Sequence, residues 1–391
     1  MDTIRIGLDN LIESPPAWLE NKRLGLLCNP ASVNAELIHA KDLIYGKFGS
    51  RFKALFSPQH GLYAEKQDNM VESDDFYDPS LRIPVFSLYG KTRRPTDDML
   101  ALIDVLIVDL LDVGTRVYTF LTTLSYCLEE AAKAGKTVVV LDRPNPVGGA
   151  QVEGNLLKAK YASFVGRYEI PMRHGLTIGE YAGWINRYFG IDCDLAVIPM
   201  KGWRRSMYYR DTGLFWVAPS PNLPTPESAM VYPGQVIWEG TNISEGRGTT
   251  QPFEVFGAPF IDTGKILSFM GGDRLNGCVL RPVVFEPTAN KWQDTPCRGF
   301  QIHVTDPYRY TPYTTSLQLL SAVIYHHGDR FEWKQPPYEY EFETLPMDLI
   351  IGDEQIRREI EAGVDAADIL VRCRPEIDAF EEGVQAFKLY R

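Results

Sequence analysis

The stretch DVLIVDLLDVGTRVYTFLTTLSYCLEEAAKAGKTVVVLDRPNP, residues 104–146, decides the fold. Asp104–Val108 is a short run, apolar from Val105 on, that stops at Asp109. Lys136–Leu141 is a second, stopped by Asp142-Arg143-Pro144. Between them, Tyr118–Ala134 carries apolar residues at helical spacing and closes on Gly135. Strands that are apolar throughout, with a helix between them, describe a parallel sheet covered on both faces.

Working outward, Lys22–Cys28 ends at Asn29-Pro30 and Lys53–Phe56 ends at Ser57-Pro58, each reading as a buried strand followed by a turn. Leu195–Pro199 reads as one more strand. Ile178–Phe189 is an amphipathic helix, with Thr177 as its cap and Glu180 three residues on completing a capping box. Further along, Val279–Phe285, Gly299–Val304 and Tyr338–Thr344 read as strands. Thr314–His327, Glu354–Glu361 and Val364–Val371 read as helical, and Phe380–Tyr390 as a closing segment. The chain is therefore expected to be α/β with a smaller α+β C-terminal domain. The junction falls near residues 190–200, giving domains 1–195 and 196–391.

In open α/β sheets the ligand crevice lies beyond the carboxyl ends of the strands. The four predicted ends carry Asn29 and Ser32, Gln59 and His60, Asp109 and Asp112, and Asp142, Arg143 and Asn145. They are expected to point polar side chains into one rim. Arg173-His174-Gly175 stands at a helix entry, where anions are favoured. Pro219–Thr225, with three prolines in seven residues, reads as a rigid wall. Tyr232–Pro259 holds Glu239, Asn242, Glu245 and Arg247 among glycines and prolines, and is expected to be mostly turn and loop.

The composition is that of an ordinary globular protein, with 391 residues, 45% hydrophobic and 23% charged. A formal net charge of -11 argues against a nucleic-acid partner. Six cysteines without a CxxC pair give neither a zinc site nor a disulfide framework, so no metal is expected. The first strand lacks the GxGxxG of a dinucleotide site. Gly90-Lys91-Thr92 lacks the earlier P-loop glycine, since Val85 stands there, so no nucleotide cofactor is expected. GxSxG and HExxH are absent. No basic-then-apolar leader and no membrane-length apolar run is present, so the expectation is a cytoplasmic protein without a membrane partner.

SPQHG at 57–61, DLLDVGTRVYTF at 109–120, DRPNP at 142–146, MRHGLTIGEYA at 172–182, PSPNLPT at 219–225 and EGTNISEGRGTT at 239–250 follow one another in that order. Together they resemble the NamZ family of exo-β-N-acetylmuramidases, formerly a domain of unknown function, over nearly the whole chain. The resemblance implies a Rossmann-like N-terminal domain, a smaller C-terminal domain and an active site in the cleft between them. It also implies release of N-acetylmuramic acid from non-reducing ends of peptidoglycan fragments, without metal or cofactor. The family motif after the second strand reads PEHG, and its glutamate is the favoured acid. Here Gln59 stands in that place, and an amide cannot donate a proton as a carboxylic acid does.

Glycoside hydrolysis generally needs two carboxyl groups flanking the bond. The expectation takes one from Glu239 or Glu245 and one from Glu65 or Asp112, with Asp109 able to orient a hydroxyl. An alternative lets the substrate's own acetamido group attack. The lactyl carboxylate of muramic acid calls for a guanidinium fork, from Arg247, Arg143, Arg116 or Arg173 in that order. His60 and His174 are expected on sugar hydroxyls. Asn29, Gln59, Tyr118, Asp142, Asn145, Asn222 and Asn242 complete the expected substrate contacts. A sugar-binding module without turnover, or hydrolysis of a different glycoside, is the alternative that Gln59 keeps open.

Overall fold

The computed structural model describes residues 4–271 and 274–391. Its first sheet is built from β1 (Leu24–Cys28), β2 (Phe52–Ser57), β3 (Phe76–Tyr77), β4 (Pro84–Ser87), β5 (Val105–Asp109) and β6 (Thr137–Leu141). A two-stranded ribbon, β7 (Glu153–Leu156) and β8 (Pro171–Arg173), leads on to β9 (Asp194–Ile198), which returns to the sheet. The spatial order is β3-β4-β2-β1-β5-β6-β9, and every pairing is parallel except β3 with β4. Without the short β3, this is the doubly wound order with its switch point between β1 and β5.

Alternation along the strands sorts the two faces. Leu24, Leu26, Val105, Ile107, Val139 and Leu141 join one buried cluster with Ala40 and Ile44 of the helix Ala40–Phe48. Leu27, Leu106, Val108, Val138 and Val140 join another with Phe120, Leu124 and Cys127 of the helix Phe120–Lys133 and with Ile185 of Ile178–Tyr188. That second cluster continues without a break into Leu317, Leu320, Ile350 and Phe380, so one core links the two halves. The helix from Ile178 begins with the expected capping box of Thr177 and Glu180.

The second half carries β10 (Val255–Ala258), β11 (Cys278–Phe285) and β12 (Cys297–Val304) as an antiparallel sheet, order β10-β12-β11, with helices packed about Pro312–His327. Four readings change. The seven-stranded sheet runs through Ile198, so a boundary at residue 195 falls inside β9. Pro226–Gln235 is a helix continued by a 3-10 turn to Gly240, although the sequence from Tyr232 reads as loop. Pro226 sits in its first turn, where proline is tolerated, and buried Val231, Val236 and Ile237 outweigh the internal Pro233. Tyr338–Thr344 is not a strand: Tyr338 and Glu341 close a tight turn, with Glu339 and Tyr340 at positive φ. Ala366–Gly383 is one helix through Pro375, joining segments that the sequence divides.

Candidate active site

Of the four polar strand ends, only that of β2 opens on a cavity. At the switch point Asn29 donates to Pro219 O at 2.8 Å and accepts from Ala31 N, which seals β1 against the Pro219–Thr225 wall. Asp109 takes both arms of Arg143, at 2.5 and 2.8 Å, and the same guanidinium donates to Val33 O. Asp142 accepts from Thr177, Gly179 and Tyr390, and burial pushes its pKa up to about 6. Asn145 ties Leu176 O to Val147 N. These groups build the fold, and the expected common rim is not formed.

The arginines expected on a substrate carboxylate divide likewise. Arg116 is wholly buried and donates to four carbonyls, of Asn155, Ile170, Ile350 and Ile351, pinning the ribbon to the C-terminal helices. Arg173 is held by Gln151 and Val147 O. His174 lies 3.2 Å from Asp112, which also accepts from Gly114 N; neither lines the cavity. Glu65 is exposed, its carboxylate folded over Gly61 and away from the cavity. The geometry thus removes Glu65 and Asp112 from the expected carboxyl pair.

The cavity lies between the halves. Gln59 and His60 at the end of β2, Tyr118 and Thr119 at the helix entry, Ser220 and Asn222 of the wall, Glu239, Arg247, and the turn residues Tyr338 and Glu339 line it. It encloses about 30 Å³, room for two waters at most. Across Asn69, Glu239, Arg247 and Tyr338 it adjoins an open basin of about 390 Å³ that also takes in Asn242, Glu245, Lys291 and Lys334. Asn69 separates the two spaces, donating to Glu239 Oε2 at 3.2 Å. Its segment is fastened by Asn222 Nδ2 to Gln67 O at 3.0 Å and by Met70 N to the Tyr89 hydroxyl at 3.1 Å.

Two buried carboxyl groups face this cavity, and their surroundings differ. Glu239 accepts from Arg247 Nη2 at 2.7 Å and from the Tyr338 hydroxyl at 2.6 Å. Burial alone would raise its pKa, but the Arg247 charge and these hydrogen bonds hold it below the ordinary carboxylate value. Glu339 accepts from Gln59 Nε2 at 3.0 Å and from the Tyr89 hydroxyl at 2.5 Å, and no cation is bonded to it. Burial raises its pKa, and the nearby Glu239 charge adds to that, against the two hydrogen bonds and the nearby Arg93 charge. Glu245 is bridged by Arg247 Nε at 3.2 Å and Lys291 at 2.8 Å. His60 donates through Nδ1 to Lys66 O, and burial lowers its pKa to about 4, so its ring is neutral at pH 7.

Sequence reading missed Glu339, Tyr338, Tyr89 and Asn69. Arg93 lies against the rings of Tyr89 and Tyr340, at 4.2 and 4.3 Å, which ties the Glu339 turn to the first half. The pair Pro336-Pro337 before Tyr338-Glu339-Tyr340 is the local sign that this stretch turns instead of running as a strand. Nothing local reveals that it meets Gln59, 280 positions earlier. Among the described residues no cluster of His, Cys, Asp and Glu is arranged to hold a metal ion, and no helix is long and apolar enough to cross a membrane.

Residues 24–227 match the family described as exo-β-N-acetylmuramidase NamZ, N-terminal, and residues 230–390 its C-terminal counterpart. The chain is 41% identical over 387 residues to the peptidoglycan β-N-acetylmuramidase NamZ of Bacillus subtilis (strain 168), covering 99% of this chain and 91% of the relative. Two crystal structures of DUF1343 family proteins from Bacteroides fragilis NCTC 9343 share the architecture. One is 33% identical with a TM-score of 0.89, covering 100% of both chains; the other is 27% identical with a TM-score of 0.76, covering 99% of each.

Proposed function

Because the chain belongs to the NamZ family of exo-β-N-acetylmuramidases, we propose that it hydrolyses β-N-acetylmuramides at the non-reducing ends of peptidoglycan fragments, in the cavity between its two halves. The observation that carries this reading is the pair Glu239 and Glu339, two buried carboxyls on one cavity with their proton affinities pushed in opposite directions. Such a divergence marks acid and base assignments in glycoside cleavage, where one group must hold a proton and another must be charged. Glu239, paired with Arg247, is the charged member. It stabilises positive charge developing at the anomeric carbon or receives the proton of the attacking water.

The cavity, at about 30 Å³, does not admit a sugar ring as it stands, so this reading requires the segment bearing Asn69 to move when substrate enters. A substrate hydroxyl or acetamide then replaces the Asn69 amide on Glu239. A blind cavity beside an open basin suits a chain end, with the remaining saccharide in the basin. The lactyl carboxylate meets Arg247 Nη1, which is buried without a hydrogen-bond partner, and Lys334 of the basin. Turnover of an aryl β-N-acetylmuramide beside the matching β-N-acetylglucosaminide tests the reading. Muramide turnover with little or no glucosaminide turnover is expected, and turnover of neither defeats it.

A further inference from the structure

We propose that Glu339 is the proton donor of this active site, held in place by Gln59 and Tyr89. The assignment rests on the hydrolase reading above and follows from what each neighbouring group is bonded to. Glu239 is ion-paired to Arg247 and held charged, so it has no proton to give, and both oxygens of Glu245 are taken up by Arg247 and Lys291. His60 donates its Nδ1 proton to a backbone carbonyl. Asp112 and Glu65 do not reach the cavity. Glu339 alone among the cavity carboxyls lacks a bonded cation, and it is 4% exposed.

Its neighbours also orient it. Thr119 donates to Gln59 Oε1 at 2.6 Å, which turns the amide so that Nε2 faces Glu339 Oε1. The Tyr89 hydroxyl accepts from Met70 N and donates to Oε2. Each carboxyl oxygen thus accepts one hydrogen bond and keeps a second lone pair, and either can carry the single proton. In the reaction the glycosidic C1–O bond breaks with its electron pair on the leaving oxygen, which takes the Glu339 proton. Water supplies the hydroxyl at C1, and the proton it releases restores the carboxyl group of the site.

The test compares leaving groups. An alcohol leaving group needs protonation, whereas a nitrophenolate leaves nearly unaided, so loss of a general acid weighs far more on the former. For Glu339→Gln, kcat on N-acetylmuramyl-β-1,4-N-acetylglucosamine is expected to fall about 100-fold or more, and kcat on 4-nitrophenyl β-N-acetylmuramide less than about tenfold. The exchange Gln59→Glu with Glu339→Gln keeps the hydrogen bond and the number of carboxyls. It is expected to recover about tenfold or more of the lost disaccharide turnover. Wild-type-like turnover by Glu339→Gln, or equal losses on both substrates with no recovery in the exchange, overturns the assignment alone. A wild type inactive on both substrates overturns the muramidase reading, and this assignment with it.

Discussion

Arg143 with Asp109 and Arg247 with Glu239 and Glu245 are buried arginine–carboxylate systems, one in each half, and only the second lines the cavity. Arg143 and Asp109 form a bidentate pair at the ends of β6 and β5, and the remaining guanidinium donors reach Val33 O. Arg247 also sits between carboxylates, Glu239 and Glu245, but its buried Nη1 has no hydrogen-bond partner among the described residues, and Arg247 and Glu239 are both among the residues lining the cavity. Both set a buried guanidinium against buried carboxylate. What separates them is whether every donor and acceptor is satisfied from within the protein. A polar group with bonding capacity left over beside a cavity is the one prepared for a ligand.

Removing each arginine should test this contrast most strongly. Arg247→Ala strands Glu239 and leaves Glu245 with Lys291 alone, Arg143→Ala strands Asp109, and breaking a buried pair from one side costs about 3–5 kcal/mol. Denaturant midpoints should fall in both. The folded fraction of Arg143→Ala should keep kcat/KM within about threefold of wild type, because its pair makes no contact with the cavity. The folded fraction of Arg247→Ala should lose muramide turnover, since Glu239 loses its charge partner and the lactyl carboxylate loses the guanidinium. Muramide turnover kept within about threefold of wild type would remove Arg247 from the site.

The two regions should also answer pH with opposite signs. Burial raises Asp142, behind the closed rim, to about 6, above the ordinary carboxylate value of 3.8. Its contribution is present at low pH and is lost as pH rises through 6. Burial lowers His60, on the cavity, to about 4 from an ordinary 6.5. Its contribution is present above 6.5 and is lost as pH falls through 4. Each amounts to at most ~3 kcal/mol. Between pH 6 and 4 the two offset one another. Asp142→Asn should therefore lose stability more steeply than wild type on acidification, and His60→Asn less steeply, in chemical denaturation at pH 6, 5 and 4. Parallel slopes in all three proteins would show that neither group titrates as the geometry requires.

What the sequence discloses follows the same division. β1, β2, β5, β6 and β9, and the capping box before Ile178, are legible because each signal lies within about ten consecutive residues. Glu239 and Arg247 are legible as a polar cluster in one stretch, and Gln59 and His60 as a strand end. Glu339 is not legible. Its meaning comes from Gln59 and Tyr89, 280 and 250 positions away, and such pairing is a property of the folded chain. The rim misleads for a related reason. Asn29, Asp109, Asp142, Arg143 and Asn145 have the residue types of a site, but their partners, among them Val33 O, Pro219 O, Leu176 O and Tyr390, show them to be satisfied internally.

Glu65 sharpens the comparison at its smallest scale. From sequence it is the natural substitute for an acid missing at position 59, being six residues away on the same loop. In the fold it is exposed, and its carboxylate lies over Gly61, whose positive φ of 85° suits the turn there. A carboxyl in water stands at no fixed distance from a bond held in a cavity. Glu65→Gln should therefore leave kcat on the disaccharide within about twofold of wild type, where Glu339→Gln lowers it about 100-fold. The reverse ranking would mean that the loop swings Glu65 inward when Asn69 leaves Glu239. The proton donor would then belong to the moving segment, and the Glu339 turn would serve only to hold the cavity together.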